Sequence, residues 1–353
     1  MLTGAIPFVI RNSLFGIRNS LLLHLLPFAF CIPTVAQDNR PLLPFAGTDA
    51  VTILNDNGTT ERLTGTIENI EGGTLRIRRS GRGNIQILRM DDVTELSFQK
   101  SAAWDAGLKL AEEGEFNRAF VAFSQAARQE DRDWAWCELQ AAIAKLQVRM
   151  GDRAAAVDRI EAILNKDDQS RHVCLLPLVW DERLPGEEKV KVDPKDLGSS
   201  VVARRLVVAS ALLHDTTQRP AATAVLNRIR QHEGLNRMGE LANAQLWRLP
   251  LLEQPENRNP LAKVWSERVR ELPVDCRPGP QYVVARNLRH QHQYDKAALG
   301  FLWTSLMNPL DPALAAQAMV EAIDCLEKAG RPAEAQKMAA ELVVRFAKAS
   351  ATV

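Results

Sequence analysis

The chain has 353 residues, 46% of them hydrophobic, enough for more than one domain and a large buried core, so general disorder is excluded. A formal net charge of +1 excludes a global electrostatic pull toward nucleic acid. Aromatic residues make up only 6%, while alanine, leucine, arginine and glutamate recur in the second half, a bias toward packed helices.

The first forty residues have the order of an export signal. Arg11 and Arg18 precede the apolar run from Leu21 to Ile32, no acid occurs before Asp38, and Thr34-Val35-Ala36 supplies small residues before Gln37. His24 and Pro27 interrupt the run, which is shorter than the roughly 20 apolar residues that span a bilayer. The expectation is a signal peptide over 1–36 and a linker over 37–48, giving an exported, periplasmic or envelope protein with no membrane span after cleavage. An uncleaved signal acting as a tether is the alternative. Cys31 follows Phe30 and not a small residue, which argues against lipid attachment. Cleavage removes two arginines and no acid, so the basic count falls from 44 to 42 against 43 acids.

From Asp49 to Phe98 the hydrophobic period is two. Val51 and Ile53, Leu63 and Ile67, Leu75 and Ile77, Ile85 and Ile87, then Leu96 and Phe98 alternate with polar residues. Between them lie the turn residues Asn55-Asp56-Asn57-Gly58, Glu71-Gly72-Gly73, Ser80-Gly81-Arg82-Gly83 and Asp91-Asp92. This predicts five short strands over 49–99, closed into a small barrel that hides its edges. The stretch "GTIENIEGGTLRIRRSGRGNIQILRMDDVTEL" resembles the SH3-like or Sm-like barrels near the start of some exported bacterial proteins. Arg76, Arg78 and Arg79, with Arg82 and Arg89, make the module locally basic. They form a candidate hairpin for an anionic ligand such as a polysaccharide or membrane headgroups, against the simpler reading of a solvated strand face. No aromatic residue lies between Leu63 and Arg89, so a stacking platform for single-stranded nucleic acid is missing.

After Ser101, a helix N-cap by type and position, the period lengthens to 3.6. Paired helices are expected at 101–112 with 115–129, 133–149 with 152–166, 199–214 with 219–232, 236–249 with 259–271, 279–291 with 294–307, and 312–328 with 331–348. Residues 100–166 thus carry two hairpins, 167–198 an irregular insertion and 199–348 four more. The insertion contains the apolar clump "CLLPLVW" followed by "DERLPGEEKVKVDPKD". The simplest expectation is that the clump packs on the helices and the charged part loops into solvent. A flap over a groove is the alternative.

In "AEEGEFNRAFVAFSQAA" and the helix before it, Gly107, Leu110, Gly114, Phe116, Ala119, Phe123 and Ala126 resemble the tetratricopeptide repeat signature at its own spacing. Gly107 and Ala119 stand where two helices cross closely, and Phe116 and Phe123 fill the space toward the next hairpin. The same register returns at Ala144, Gly151, Ala156, Ile160 and Ile163; at Tyr294, Ala297, Phe301 and Pro309; and at Ile323, Gly330, Ala335 and Leu342. The copy around Ala222 and Leu226 is weaker, and the hairpin with Trp247 and Trp265 departs most. The fold class expected is mainly α: a solenoid of six tetratricopeptide-like hairpins after a five-stranded β-barrel.

The resemblance implies a concave surface, lined by the first helix of each pair, that holds an extended peptide or protein. Its groove places fall on Trp104 and Leu108, Lys145 and Arg149, Arg204 and His214, and Tyr282, Arg286 and Arg289. That surface is basic with aromatic anchors, suited to an acidic or carboxylate-bearing envelope partner. Repeats of this type that clamp chaperone tails have a lysine and an asparagine where this chain has Trp104 and Leu108, a departure that argues against such a partner.

No phosphate-binding loop, dinucleotide-binding glycine pattern, nucleophile-elbow serine or paired zinc-binding histidines occur. Ser97-Phe98-Gln99-Lys100 has serine–lysine spacing but lacks the companion motifs. His290 and His292 are two apart, on different helix faces. The four cysteines after Cys31 lack zinc-ligand spacing; they permit three disulfide connectivities, with buried thiols at Cys137 and Cys325 equally compatible. No catalytic, cofactor or metal site is assigned. A non-enzymatic scaffold is the leading reading; an envelope enzyme or its accessory subunit, and an anionic-polymer binder, are the alternatives. Oligomeric state is not fixed by the sequence.

Overall fold

The computed structural model describes residues 48–350 except 56, 82, 185–191, 235, 254–260 and 309–310, and the backbone alone for 347–350. The expected signal segment, the linker up to residue 47, Arg82 and Pro309 lie outside the described residues.

Five strands, β1 (Asp49–Leu54), β2 (Thr60–Glu71), β3 (Thr74–Arg79), β4 (Ile85–Arg89) and β5 (Val93–Ser97), form one antiparallel sheet in the order β4-β3-β2-β1-β5. The period-two pattern sets the register: Leu63 lies opposite Val51, and Ile77 opposite Ile67, all four buried. The expected closed barrel does not form. β4 and β5 end the order as its two edges, and a single 3-10 turn, Met90–Asp92, connects them. Closure has no apolar face left to hide, because helices cover it. Val51, Leu63, Leu75, Ile77 and Val93 share one core with Trp104, Phe123, Trp134 and Leu139. Phe98 is the hinge of that core, its ring centroid 5.2 Å from Trp104 and 4.9 Å from Trp134 in edge-on contacts.

The rest of the described chain is helical: α1 (Ala102–Glu112), α2 (Phe116–Ala127), α3 (Asp133–Arg149), α4 (Arg153–Leu164), α5 (Val202–Leu212), α6 (Arg219–Glu233), α7 (Arg237–Leu246), α8 (Leu249–Glu253), α9 (Ala262–Glu271), α10 (Pro278–His290), α11 (Tyr294–Met307), α12 (Pro312–Lys328) and α13 (Pro332–Ser350). Local chemistry sets several starts. The side chains of Ser101, Asp152, Asn236 and Asp311 accept hydrogen bonds from the backbone N–H groups of Trp104, Ala155, Gly239 and Leu314. Proline opens α10 and α12, where a missing N–H costs nothing.

Helices adjacent in sequence pack on one another through most of this run. The exception is the fourth expected pair: α7 packs closely on α6 and α9 on α10, while α7 and α9 meet through the stacked rings of Trp247 and Trp265, 5.5 Å apart. At the α1–α2 crossing, a Cβ on Gly107 would lie 2.5 Å from the Phe123 ring. Ala119, on the same side of α2, is wholly buried.

The insertion before α5 is part of the core. Leu176, Leu178, Val179 and Trp180 are buried. The Val179 N–H donates to Ser210 Oγ of α5 at 2.8 Å. A Cβ on Gly279 of α10 would lie 2.0 Å from the Trp180 indole, so glycine is what lets the ring lie against the helix. A Cys174–Cys276 disulfide ties the insertion to the segment before α10, leaving Cys137 and Cys325 as free thiols.

Replacing Gly107 by valine forces Phe123 or the crossing to move, and destabilisation by about 1–3 kcal/mol is expected. A urea midpoint unchanged from the parent would show that the close approach is not required.

Candidate functional site

The groove places expected from the sequence go to several environments. Trp104 lies in the sheet–helix core and Leu108 is exposed on the same helix. Arg149 stacks its guanidinium 5.7 Å from the Phe116 centroid. Arg204 is paired with Glu161 at 2.7 Å and Asp158 at 2.9 Å. His214, near the end of α5, bonds through Nδ1 to the Ala211 carbonyl at 2.6 Å. Trp104 is buried, as are Tyr282 and Arg286, so these three present no open groove surface.

Tyr282 and Arg286 are buried on α10 and already have partners from the chain itself. The Tyr282 hydroxyl donates to Asp181 Oδ2 at 2.5 Å, and Arg286 makes a two-pronged contact with Glu182 at 2.7 and 3.0 Å. Arg183 donates to Asp181 at 2.7 Å and pairs with Glu321 of α12 at 2.6 Å. Glu321 also takes Arg289, which reaches Asp324 at 2.9 Å. The charged end of the insertion therefore does not loop into solvent at Asp181: that carboxylate is fully buried among helices. The described part of the insertion thus meets Tyr282 and Arg286, two of the residues at which an acidic partner was expected.

Burial by itself raises the Asp181 pKa, but hydrogen bonding from Arg183 and the charge of Arg286 outweigh it and hold the carboxyl well below the usual carboxylate range. Burial pushes the Tyr282 hydroxyl up, so it remains a donor at neutral pH. Behind them Arg248 is fully buried, and burial lowers it to about 10. Its Nη1 donates to the Ser210 carbonyl at 3.0 Å and to Gln245 Oε1 at 2.7 Å. This arginine gave no sequence signal, because neither its burial nor its partners are local.

Beside the network an open cleft of about 570 Å³ lies between the sheet and the helices. That volume is within the roughly 300–1,000 Å³ of ligand-holding clefts. Its apolar lining includes Leu54 and Val93 of the sheet, Val148 of α3, Leu176 and Trp180 of the insertion, and Leu241 of α7. Four cations reach it: Lys145, Arg153, Arg171 and Arg237. Arg153 is paired with Asp311 at 3.3 Å, Arg171 with Glu138 at 2.9 Å, and Arg237 with Asp91. Among the described residues no carboxylate pairs with Lys145. Its chain is accessible to solvent, but the cleft walls desolvate its ammonium and lower its pKa, with the charge of Glu138 acting the other way. Of the groove residues expected from sequence, Lys145 is the one that lines this cleft.

Near the cleft, Glu138 accepts from Arg171 and lies 3.1 Å from His172 Nε2. Burial raises its pKa, but the His172 and Arg171 charges bring it down to about 2. The Lys100 ammonium sits 4.5 Å from the Phe98 centroid, and His292 Nδ1 bonds the Tyr294 hydroxyl at 2.8 Å. Cys174, Asp275 and Cys276 have ligand atoms within 4.8 Å of one another, but the disulfide holds both sulfurs. Burial raises the free thiols of Cys137 and Cys325 to about 11 and about 12, which keeps them protonated and unreactive. Arg76 and Arg78 are exposed on one face of the sheet, whereas Arg79, two-sided alternation apart, turns toward Gln86 at 3.5 Å. No family model matches the chain, and no curated protein and no solved structure is significantly similar to it.

Asp181, with a depressed folded-state pKa, contributes stability that is present above the unfolded pKa near 3.9 and is lost as pH falls through the folded value. Asp181→Asn is therefore expected to cost about 1–3 kcal/mol at pH 7, since Arg183 and Arg286 each lose a charged partner there but keep Glu321 and Glu182. It should also flatten the acid limb of the stability curve below about pH 4. Chemical denaturation across pH reads both effects; an acid limb as steep as the parent's would remove Asp181 from its cause.

Proposed function

We propose that the protein is a non-enzymatic interaction scaffold of the cell envelope, built as a tetratricopeptide-like solenoid, that holds an extended segment of a partner protein in the cleft beside the insertion. The observation that carries this reading is the cleft itself, a largely apolar trough with four cations and three aspartates in its lining, whose walls include the sheet, α3, the insertion and α7. Lys145 lies in it exposed to solvent and with no paired carboxylate among the described residues. An exposed cation beside apolar walls is what a partner with a negative group and apolar neighbours would complete.

Several further observations support the same reading. Helices adjacent in sequence stack on one another, and Gly107 meets Phe123 at the place the repeat signature requires. The Cys174–Cys276 disulfide agrees with an oxidising compartment, as the export-like N-terminal sequence does. The acidic partner expected at Tyr282, Arg286 and Arg289 has internal counterparts in Asp181 and Glu182 of the insertion and Glu321 and Asp324 of α12, so the external partner is assigned to the neighbouring cleft.

A photoreactive residue placed at Val148 or at Leu54, both in the cleft, is expected to crosslink the same envelope protein in the native cell, while one at Leu299, exposed on α11, does not. Lys145→Glu should reduce that crosslink roughly tenfold, about 1.4 kcal/mol of binding. Equal yields from all three positions would remove the cleft as the binding site.

A further inference from the structure

The outer face of the β3–β4 hairpin combines two features that a solvated strand surface seldom has together. β4 is an edge strand, and among the described residues no strand pairs with its free side. Its outward residues are Ile85, Ile87 and Arg89, and the isoleucines are 40% and 64% exposed. In register beside them on β3 stand Arg78, opposite Ile85, and Arg76, opposite Ile87. Both arginines are exposed, as is Arg89, with 74% of its side chain accessible. The strands thus place large apolar side chains at the rim and guanidinium groups immediately around them.

Carboxylates stand near two of the three arginines on this face, and no ion pair among the described residues involves Arg76. Arg78 is paired with Glu68 and also donates to the Gly83 carbonyl at 3.3 Å. Arg89 has Asp91 at 3.9 Å and Asp92 at 4.0 Å, long solvent-exposed separations that hold little energy. Asp91 is moreover engaged by Arg237.

We propose that this face docks on a bilayer surface carrying anionic phospholipid headgroups, a role separate from that of the cleft. Each part of the face has a use there. Ile85 and Ile87, on an edge with nothing beyond it, can enter the boundary between headgroups and acyl chains, while the arginines lie along the interface with their charges at the phosphates. A hydrated polysaccharide would leave the isoleucines without gain, and single-stranded nucleic acid would find no aromatic ring between Leu63 and Arg89 to stack on. A second copy pairing through β4 would bring the arginines of both molecules to one sheet face, like charges against like.

The test is flotation of the full chain with vesicles of phosphatidylglycerol and phosphatidylcholine in equal parts, against vesicles of phosphatidylcholine alone, with hydrogen exchange read on the bound protein. Parent, Ile87→Glu, Ile87→Leu and the pair Arg76→Glu with Arg78→Glu are compared. The apolar stretch Leu21 to Ile32 is common to all four, so it drops out of the differences. All these positions are exposed, and unchanged thermal melting confirms that each variant is folded. The expected result is binding that depends on phosphatidylglycerol, protection of the amides of β4, a roughly tenfold loss in both glutamate variants and none in Ile87→Leu. Equal binding by all four would overturn the proposal. So would unprotected β4 amides, equal protection of β4 by soluble heparin, or lipid-free dimers that Ile87→Glu dissolves.

Discussion

The burial of one carboxylate organises the helical part of the molecule. Asp181 has no exposed surface, and an ionised group can stand there only because the Tyr282 hydroxyl and the Arg183 and Arg286 guanidinium groups surround it. Satisfying that charge fixes where the insertion enters. With Asp181 in place, Trp180 lies on Gly279, Val179 bonds Ser210, and Cys174 reaches Cys276. Leu176 and Trp180 then become one wall of the cleft, so the surface available to a partner is a consequence of an internal electrostatic constraint.

The other long-range ties act in the same sense. Arg153 of α4 reaches Asp311 at the start of α12, and Arg237 of α7 reaches Asp91 beside the sheet. A simple stack of repeats interacts only with its neighbours and can fray from either end. Here elements more than a hundred residues apart are joined around the cleft, which keeps a set of walls from four parts of the chain in one geometry. At the sheet the constraint is apolar. Phe98 between Trp104 and Trp134 binds the strands to the first helices, and that cover leaves β4 as an open edge. The cleft and the β3–β4 face are accordingly surfaces of different chemistry, one concave and mixed, the other a basic rim with isoleucines.

Much of the fold was legible because its signals are local. Ser101 caps a helix where its type and position indicate, and alternating Leu63, Ile67, Leu75 and Ile77 give the sheet its inner face. The closed barrel was not borne out, because alternation shows that a face is apolar but not what covers it. The helix break between Leu246 and Leu249, and the Trp247–Trp265 stack in place of a tight hairpin, follow from packing that periodicity does not encode. The site was less legible. Lys145 could be placed from its helix position, but the burial of Tyr282 and Arg286 depends on Asp181 and Glu182, about a hundred residues earlier. The disulfide was likewise one of six possible pairs among four cysteines until Cys174 and Cys276 were brought together. Arg79 departed from Arg76 and Arg78 because strand alternation sends it to the other face.

The central claim is that the insertion is integral to the helical core and not a flap that lifts from a groove. Native-state hydrogen exchange at the Val179 and Arg183 amides, which donate to Ser210 Oγ and Asp181 Oδ1, tests it most directly. The account predicts that both exchange only with the global unfolding that exposes the centre of α10, with the same dependence on denaturant. Fast exchange at these two amides while Val283 and Val284 stay protected would show a segment that opens by itself, and would return Tyr282 and Arg286 to the surface a partner can use.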